Sequence, residues 1–337
     1  MLTRRSFLFR TAALGAGAAA AALPGRTGAQ ETRSFTFAYD QPRDTAYSNM
    51  ADTFEKKLGE LSGGKFKIRQ FPSAALGSEP ETAQKVRAGD IDFVINATAN
   101  VSSVAPQAGV FSLHFIFRDE AHLEKAMNDK GINDAFKTMI AENVQGARSL
   151  GLFTQGFRNM YSKFPVSSVS DIVGKKVRVQ ATKTEDAFFT AYKAVPIHMP
   201  FGQVYTSLQT GLIQIAENGN DVVLKNKHYE AAPVVSKTEH EANNSHLWVS
   251  QKTWDSLSPD QQKWVVQAAD YSLPLASRKA LELNSAAVAA LQKVGVKYHD
   301  QVDKKSFAVI AAPLQDAQAQ ELGKYSVQIL ALVRGIK

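Results

Sequence analysis

Apolar and polar positions alternate along the chain in a way that predicts short strands interleaved with amphipathic helices. Phe35-Thr36-Phe37-Ala38-Tyr39 reads as an aromatic-rich strand. Beyond a polar turn at Asp40–Asp44, Met50, Phe54, Leu58 and Leu61 share one face of a helix over 46–61, stopped by Ser62-Gly63-Gly64. A second strand is expected over 66–71, a short helix over 79–88 ended by Gly89, and a third strand over 90–95. This order predicts an open α/β sheet with crossover helices. One or two helices follow over 120–143.

The pattern then restarts. A strand at 177–179 follows a turn at Gly174, with helices over 184–194 and 204–211 and a strand over 213–216. From Pro259 to about Lys293 the chain is continuously helix-compatible, with a kink expected at Pro274. At 1.5 Å per residue that helix is roughly 50 Å long, more than one small lobe, so it is expected to run across two. A helical tail is expected over 304–336. No low-complexity linker separates the two α/β sets, which predicts a hinge-and-cleft body.

The first residues read differently. A basic start, an apolar run over 11–23 and Thr27-Gly28-Ala29 form an export signal with cleavage expected after Ala29. Thr3-Arg4-Arg5-Ser6-Phe7-Leu8 gives it a twin-arginine look. The formal net charge of +7 includes Arg4, Arg5, Arg10 and Arg26 of this leader. The remainder is too nearly neutral to argue for a nucleic-acid partner. The 337 residues suffice for about two domains of ~100–200 residues. Zero cysteines exclude disulfides, thiolate metal sites and a cysteine nucleophile.

Catalytic and cofactor motifs are missing. The histidines, at 114, 122, 198, 228, 240, 246 and 299, form no zincin pair. There is no Gly-x-Ser-x-Gly elbow and no phosphate-binding Gly-Lys-Ser/Thr loop. The residues that invite attention are arginines among apolar neighbours. Arg178, in Lys176-Val177-Arg178-Val179, must face water, snorkel or meet an anion. It is either an edge-strand surface arginine or a planar fork for a carboxylate. Arg158, in Gly156-Phe157-Arg158-Asn159-Met160, has a similar setting. Phe201, behind Met199-Pro200, is either a core residue or a pocket wall. Asn218 is either a turn residue or a ligand donor.

Longer motifs carry a resemblance. Ser62-Gly63-Gly64-Lys65-Phe66, Ala88-Gly89-Asp90-Ile91-Asp92 and Asp171-Ile172-Val173-Gly174-Lys175-Lys176-Val177-Arg178-Val179 form one part of it. Pro196-Ile197-His198-Met199-Pro200-Phe201, Leu208-Gln209-Thr210-Gly211, Glu217-Asn218 and Trp254-Asp255-Ser256-Leu257 complete it. The chain resembles the solute-binding subunits of the tripartite ATP-independent periplasmic (TRAP) transporters, from about Phe35 to Val333. The resemblance implies a two-lobed α/β binding protein with helices crossing between lobes. Its lobes would comprise residues 30–154 with about 244–283, and residues 155–243 with about 284–337. It implies that Arg178 clamps a ligand carboxylate, that Arg158 and Asn218 assist, and that Phe201 lines the pocket. It also implies a periplasmic, monomeric, non-enzymatic protein without cofactor, metal or nucleic-acid partner, delivering a small organic acid to membrane permease subunits. Asp40, Glu79, Asn96 and Asn100 are added by topology, since α/β ligands bind at the carboxyl ends of strands.

Some positions depart from the family pattern. Ala97 and Asn100 stand where sialic-acid binders carry charge, so that substrate is not expected. Leu113-His114-Phe115 replaces a more usual Leu-Pro-Phe. An exported enzyme acting on a small carboxylate, and a binding subunit for an ATP-driven importer or a sensor, are the rival readings.

Overall fold

The computed structural model describes residues 32–337; the expected leader over 1–29 lies outside the described residues. Nine strands make one mixed sheet: β1 (Arg33–Ala38), β2 (Phe66–Phe71), β3 (Phe93–Ala97), β4 (Ala147–Ser162), β5 (Lys176–Val179), β6 (Val195–His198), β7 (Ile215–Asn218), β8 (Val234–Ser250) and β9 (Lys297–His299). Their order is β2-β1-β3-β8-β4-β7-β5-β6, with β9 against β8. The outer thirds are parallel, as the crossover pattern predicts. The centre is antiparallel, through β3–β8, β8–β4 and β4–β7.

The strongly periodic elements form where their pattern puts them. Helices occupy Ala46–Leu61, Glu79–Ala88 and Pro259–Lys293, and Pro274 lies inside the last. That helix begins at a capping box on Ser258 and presents small residues inward, with Ala268, Ala269, Ala276, Ala280 and Ala287 buried. It packs against helix Ala46–Leu61 and β4. Two helices, Glu120–Asn128 and Lys130–Asn143, fill the predicted 120–143 span. The tail divides at Gly323 (φ 103°) into Lys304–Leu322 and Lys324–Gly335.

The sequence pattern does not predict β4 and β8, the 16- and 17-residue strands at the centre of the sheet. Almost every residue of both is buried, so neither shows the alternation of a half-exposed strand. Much of what β8 buries is polar, including Asn243, Asn244, Ser245 and His246.

Their register decides where a site can form. β3 meets the distal end of β8, with Phe93 opposite Val249 and Ala97 opposite Ser245. β7 meets the distal end of β4, with Ile215 opposite Ser162 and Asn218 opposite Asn159. The carboxyl ends of β3 and β7 therefore point toward each other along the long pair. Around β3, the rings of Phe35, Phe37 and Phe54 stand 5.2–6.1 Å from Phe93 and lock the first α/β set.

Gly146 opens β4 with φ 85°, and a Cβ there would stand 2.2 Å from the Arg87 carbonyl oxygen. Gly63 shares the left-handed backbone (φ 60°) but has open space around it. Gly146→Ala is expected to exceed the ~1–2 kcal/mol left-handed penalty that Gly63→Ala incurs, because backbone must also move. Denaturant melts of both variants check this; equal midpoints would show that the 87–146 contact is not a constraint.

Candidate functional site

The opposed strand ends enclose two adjoining cavities of about 20 and 150 Å³. Asp40, Glu79, Asn100, Arg178 and Phe201 line both. Each arrives from the predicted kind of place. Asp40 follows β1, Glu79 opens helix Glu79–Ala88, and Asn100 follows β3. Arg178 is on β5, Phe201 follows β6, and Asn218 ends β7. The smaller cavity adds Arg158, Gln155 and Asn243 from the long strands.

Arg178 is 3% exposed. Its Nε and Nη2 donate to the Met199 carbonyl at 3.3 and 3.1 Å. Among the described residues no carboxylate oxygen lies within 4.0 Å of this guanidinium. Burial holds its pKa below the usual arginine value, against the opposing pull of Glu217. Arg158 is held differently. It is buried, and its Nε and Nη2 grip the Glu217 carboxylate, with Nη2 also 2.8 Å from the Glu217 carbonyl. Glu241 lies 3.4 Å from Nε. Burial would lower the Arg158 pKa, but Glu217 outweighs it and raises it. Two similar sequence settings thus give one internally neutralised arginine and one without a carboxylate partner.

Glu79 is buried and fully engaged. It accepts from Tyr47 Oη at 3.0 Å, from the Ala97 N–H at 3.0 Å and from Asn100 Nδ2 at 2.6 Å. Asn100 Oδ1 accepts from the Ala181 N–H at 3.2 Å, joining the first α/β set to the second. Asp40 and Glu79 line the same two cavities. Burial, then the Glu79 charge, push the Asp40 pKa well above the usual carboxylate range, while Arg178 opposes. Burial raises the Glu79 pKa as well, so the two carboxyls titrate as a pair.

Asn96 does not line either cavity. It is fully buried, and its Nδ2 holds the Glu79 carbonyl (3.3 Å) and Thr82 Oγ1 (3.1 Å), so it anchors the helix start that carries Glu79. Asn218 Oδ1 accepts from the Gly219 N–H and from Asn243 Nδ2, which leaves its own Nδ2 without a hydrogen-bond partner among the described residues. Phe201 packs 5.5 Å from the His228 ring, whose pKa burial and Arg178 hold down to about 3. Sequence reasoning missed Tyr47, Gln155, Gln180 and Asn243. The last two have unpaired side-chain groups beside the cavity. The polar run Asn243-Asn244-Ser245-His246 leading directly into Leu247-Trp248-Val249 was the available signal for Asn243.

The raised Asp40 pKa has a stability consequence. A carboxyl whose pKa is raised on folding binds more protons folded than unfolded, so stability falls as pH climbs above the ordinary carboxylate range. Asp40→Asn removes that loss and keeps the shape. Urea melts across pH should show the variant gaining on the parent as pH rises; parallel curves would mean that Asp40 is ionised.

A family model described as bacterial extracellular solute-binding protein, family 7, matches residues 37–321. The 2,3-diketo-L-gulonate-binding periplasmic protein YiaO of Escherichia coli is 28% identical over 283 residues, 84% of this chain and 85% of its own. A TRAP periplasmic solute-binding protein from Xanthobacter autotrophicus, solved with bound β-D-galacturonate, superimposes with a TM-score of 0.84 at 28% identity, covering 90% of this chain and 100% of its own. One from Polaromonas, bound to D-erythronate, gives 0.84 at 29% identity, covering 91% and 99%. These proteins are two-lobed and extracytoplasmic and work with membrane permease subunits. No helix among the described residues is long and apolar enough to cross a membrane. The long model match, over a sheet whose two halves converge on Arg178, shows that the chain belongs to family 7 of the bacterial extracellular solute-binding proteins, the TRAP substrate-capture subunits.

Proposed function

We propose that this protein captures a hydroxylated monocarboxylate of the sugar-acid class and passes it, unchanged, to its permease. The carrying observation is Arg178, a buried guanidinium fork with a carbonyl oxygen but no carboxylate beside it. A ligand carboxylate supplies the missing counter-charge in a bidentate geometry. Groups suited to hydroxyls also line the cavity: Asp40, Gln180 and Asn243. Bound galacturonate and erythronate in the similar structures support the same class.

On this reading Arg158 acts mainly by fixing Glu217, and Asn218 and Phe201 complete the carboxylate end. The lobes are residues 30–154 with about 244–283, and 155–243 with about 284–337, each protein acting as a monomer exported by the twin-arginine route. A cavity of 150 Å³ is smaller than the ~300–1,000 Å³ common for ligand pockets, so the lobes must part to admit the ligand.

Calorimetry with D-galacturonate, D-erythronate and succinate tests the class. Sugar acids should bind, succinate should not, and each ligand should be recovered intact. Arg178→Ala should cost ~2–5 kcal/mol of binding, about 1.5 to 3.5 decades, and Arg178→Lys should also bind poorly for lack of the planar fork. Parental affinity in Arg178→Lys, or tight succinate binding, would overturn the reading. Small-angle scattering should show a smaller radius of gyration with ligand, since both lobes touch it. An unchanged radius at saturation would refute closure while leaving the ligand class standing.

A further inference from the structure

Beneath the ligand cavity, on the far side of Arg158, lies a second polar cluster that carboxylate capture does not use. His114 and His240 stand with ring centroids 4.9 Å apart. One ligand atom each from His114, His240 and Glu241 lie within 4.8 Å of one another. All three residues are buried, at 0%, 0% and 3% exposure, and Glu185 beside them is at 0%. His114 Nε2 and both Glu185 carboxylate oxygens have no hydrogen-bond partner among the described residues, while Glu241 Oε2 has only Arg158 Nε at 3.4 Å and His240 Nε2 only Glu217 Oε2 at 3.9 Å. So many unpartnered buried acceptors in one place are costly unless something binds them.

The other nitrogen of each ring is already spoken for. His114 Nδ1 is 2.9 Å from Tyr192 Oη, and His240 Nδ1 is 2.8 Å from Thr238 Oγ1. If each Nδ1 carries the hydrogen and donates it, each Nε2 presents its lone pair to the cluster. Hydrogen bonding at the other ring nitrogen is what orients metal-bound imidazoles. The charge balance agrees. Glu185, Glu217 and Glu241 face one paired guanidinium, Arg158, which leaves two negative charges when all are ionised. A divalent cation would neutralise them.

The backbone presses the two histidines together. Phe115 and Glu239, the chain neighbours of His114 and His240, both adopt left-handed φ, 58° and 44°. The Phe115 N–H donates to the His240 carbonyl at 2.8 Å. His114 also stacks on Phe188 at 4.5 Å.

We infer that His114, His240 and Glu241, with Glu185 within reach, form a buried site for a borderline divalent transition cation of the Zn²⁺ type. Two imidazoles and carboxylate oxygen suit such an ion and not Mg²⁺ or Ca²⁺. Zinc bonds of about 2.0–2.2 Å require the donors to draw closer than 4.8 Å, so the cluster must tighten around the ion.

The test unfolds the full-length mature protein in urea with EDTA, removes both, and refolds it with and without Zn²⁺. Mass spectrometry of the refolded protein should count roughly one zinc per chain, and the zinc-loaded form should melt higher. Mg²⁺ should leave the melt unchanged. His114→Phe keeps the stack on Phe188 and should fold but bind no zinc; His240→Gln should do the same. Parent protein that refolds without zinc uptake and melts identically with or without Zn²⁺ would overturn the site, as would undiminished uptake in both variants. The carboxyl cluster would then be held by protons alone.

Discussion

Everything in this molecule depends on the long antiparallel pair β4–β8. Parallel sheets place ligands at the carboxyl ends of their strands, and two such sheets side by side would aim those ends apart. Here β3 pairs with β8 near Val249 and β7 pairs with β4 near Ser162, so the two sets hang on opposite ends of one ribbon with reversed polarity. Their carboxyl ends converge on the middle of the ribbon. Register in the ribbon shifts at Thr154/Phe157 and again at Arg158/Met160. Such bulges re-aim side chains, and these two bracket Gln155 and Arg158.

Strand periodicity does the rest of the sorting on β7. Neighbouring residues point to opposite faces, so Glu217 turns toward Arg158 while Asn218 turns toward the cavity. Arg158 is thereby tied to the scaffold by a buried ion pair, and removing either partner would strand a charge. Arg178 has no such partner. The sheet buries it beside Phe201 and offers it one carbonyl. A folded protein that keeps a guanidinium so poorly compensated has spent stability at that point, and an arriving anion recovers it.

Local chemistry was legible in the sequence wherever it determined its own structure. The periodicity of 46–61, the Gly89 stop, the helix-compatible run from Pro259 and the apolar company of Arg178 all act within a few residues, and the three helical features formed at their expected places. The central ribbon was not legible, because strands buried on both faces lose alternation and because β8 fills its interior with amides and imidazoles. Site residues divided in the same way. Asp40, Glu79 and Asn100 could be placed by topology, since the ends of β1 and β3 are local features. That Asn96 would turn to Thr82, or that Glu79 would be consumed by Tyr47, Ala97 and Asn100, depends on partners remote in sequence.

Those remote partners change what the first α/β set can offer a ligand. With Glu79 saturated by three donors and Asn100 bonded at both amide atoms, neither has much left for a guest. Burial raises the pKa of both Asp40 and Glu79, which disfavours full negative charge on that side. Arg178 remains the cation without a carboxylate. On the proposed reading, one carboxylate followed by hydroxyls fits this composition, because Asn218 keeps its Nδ2 to donate, Asn243 keeps its side-chain oxygen to accept, and Gln180 can do both. On the proposed reading, a second carboxylate in their place would lie near Asp40 and Glu79, two acidic side chains that disfavour a further negative charge beside them.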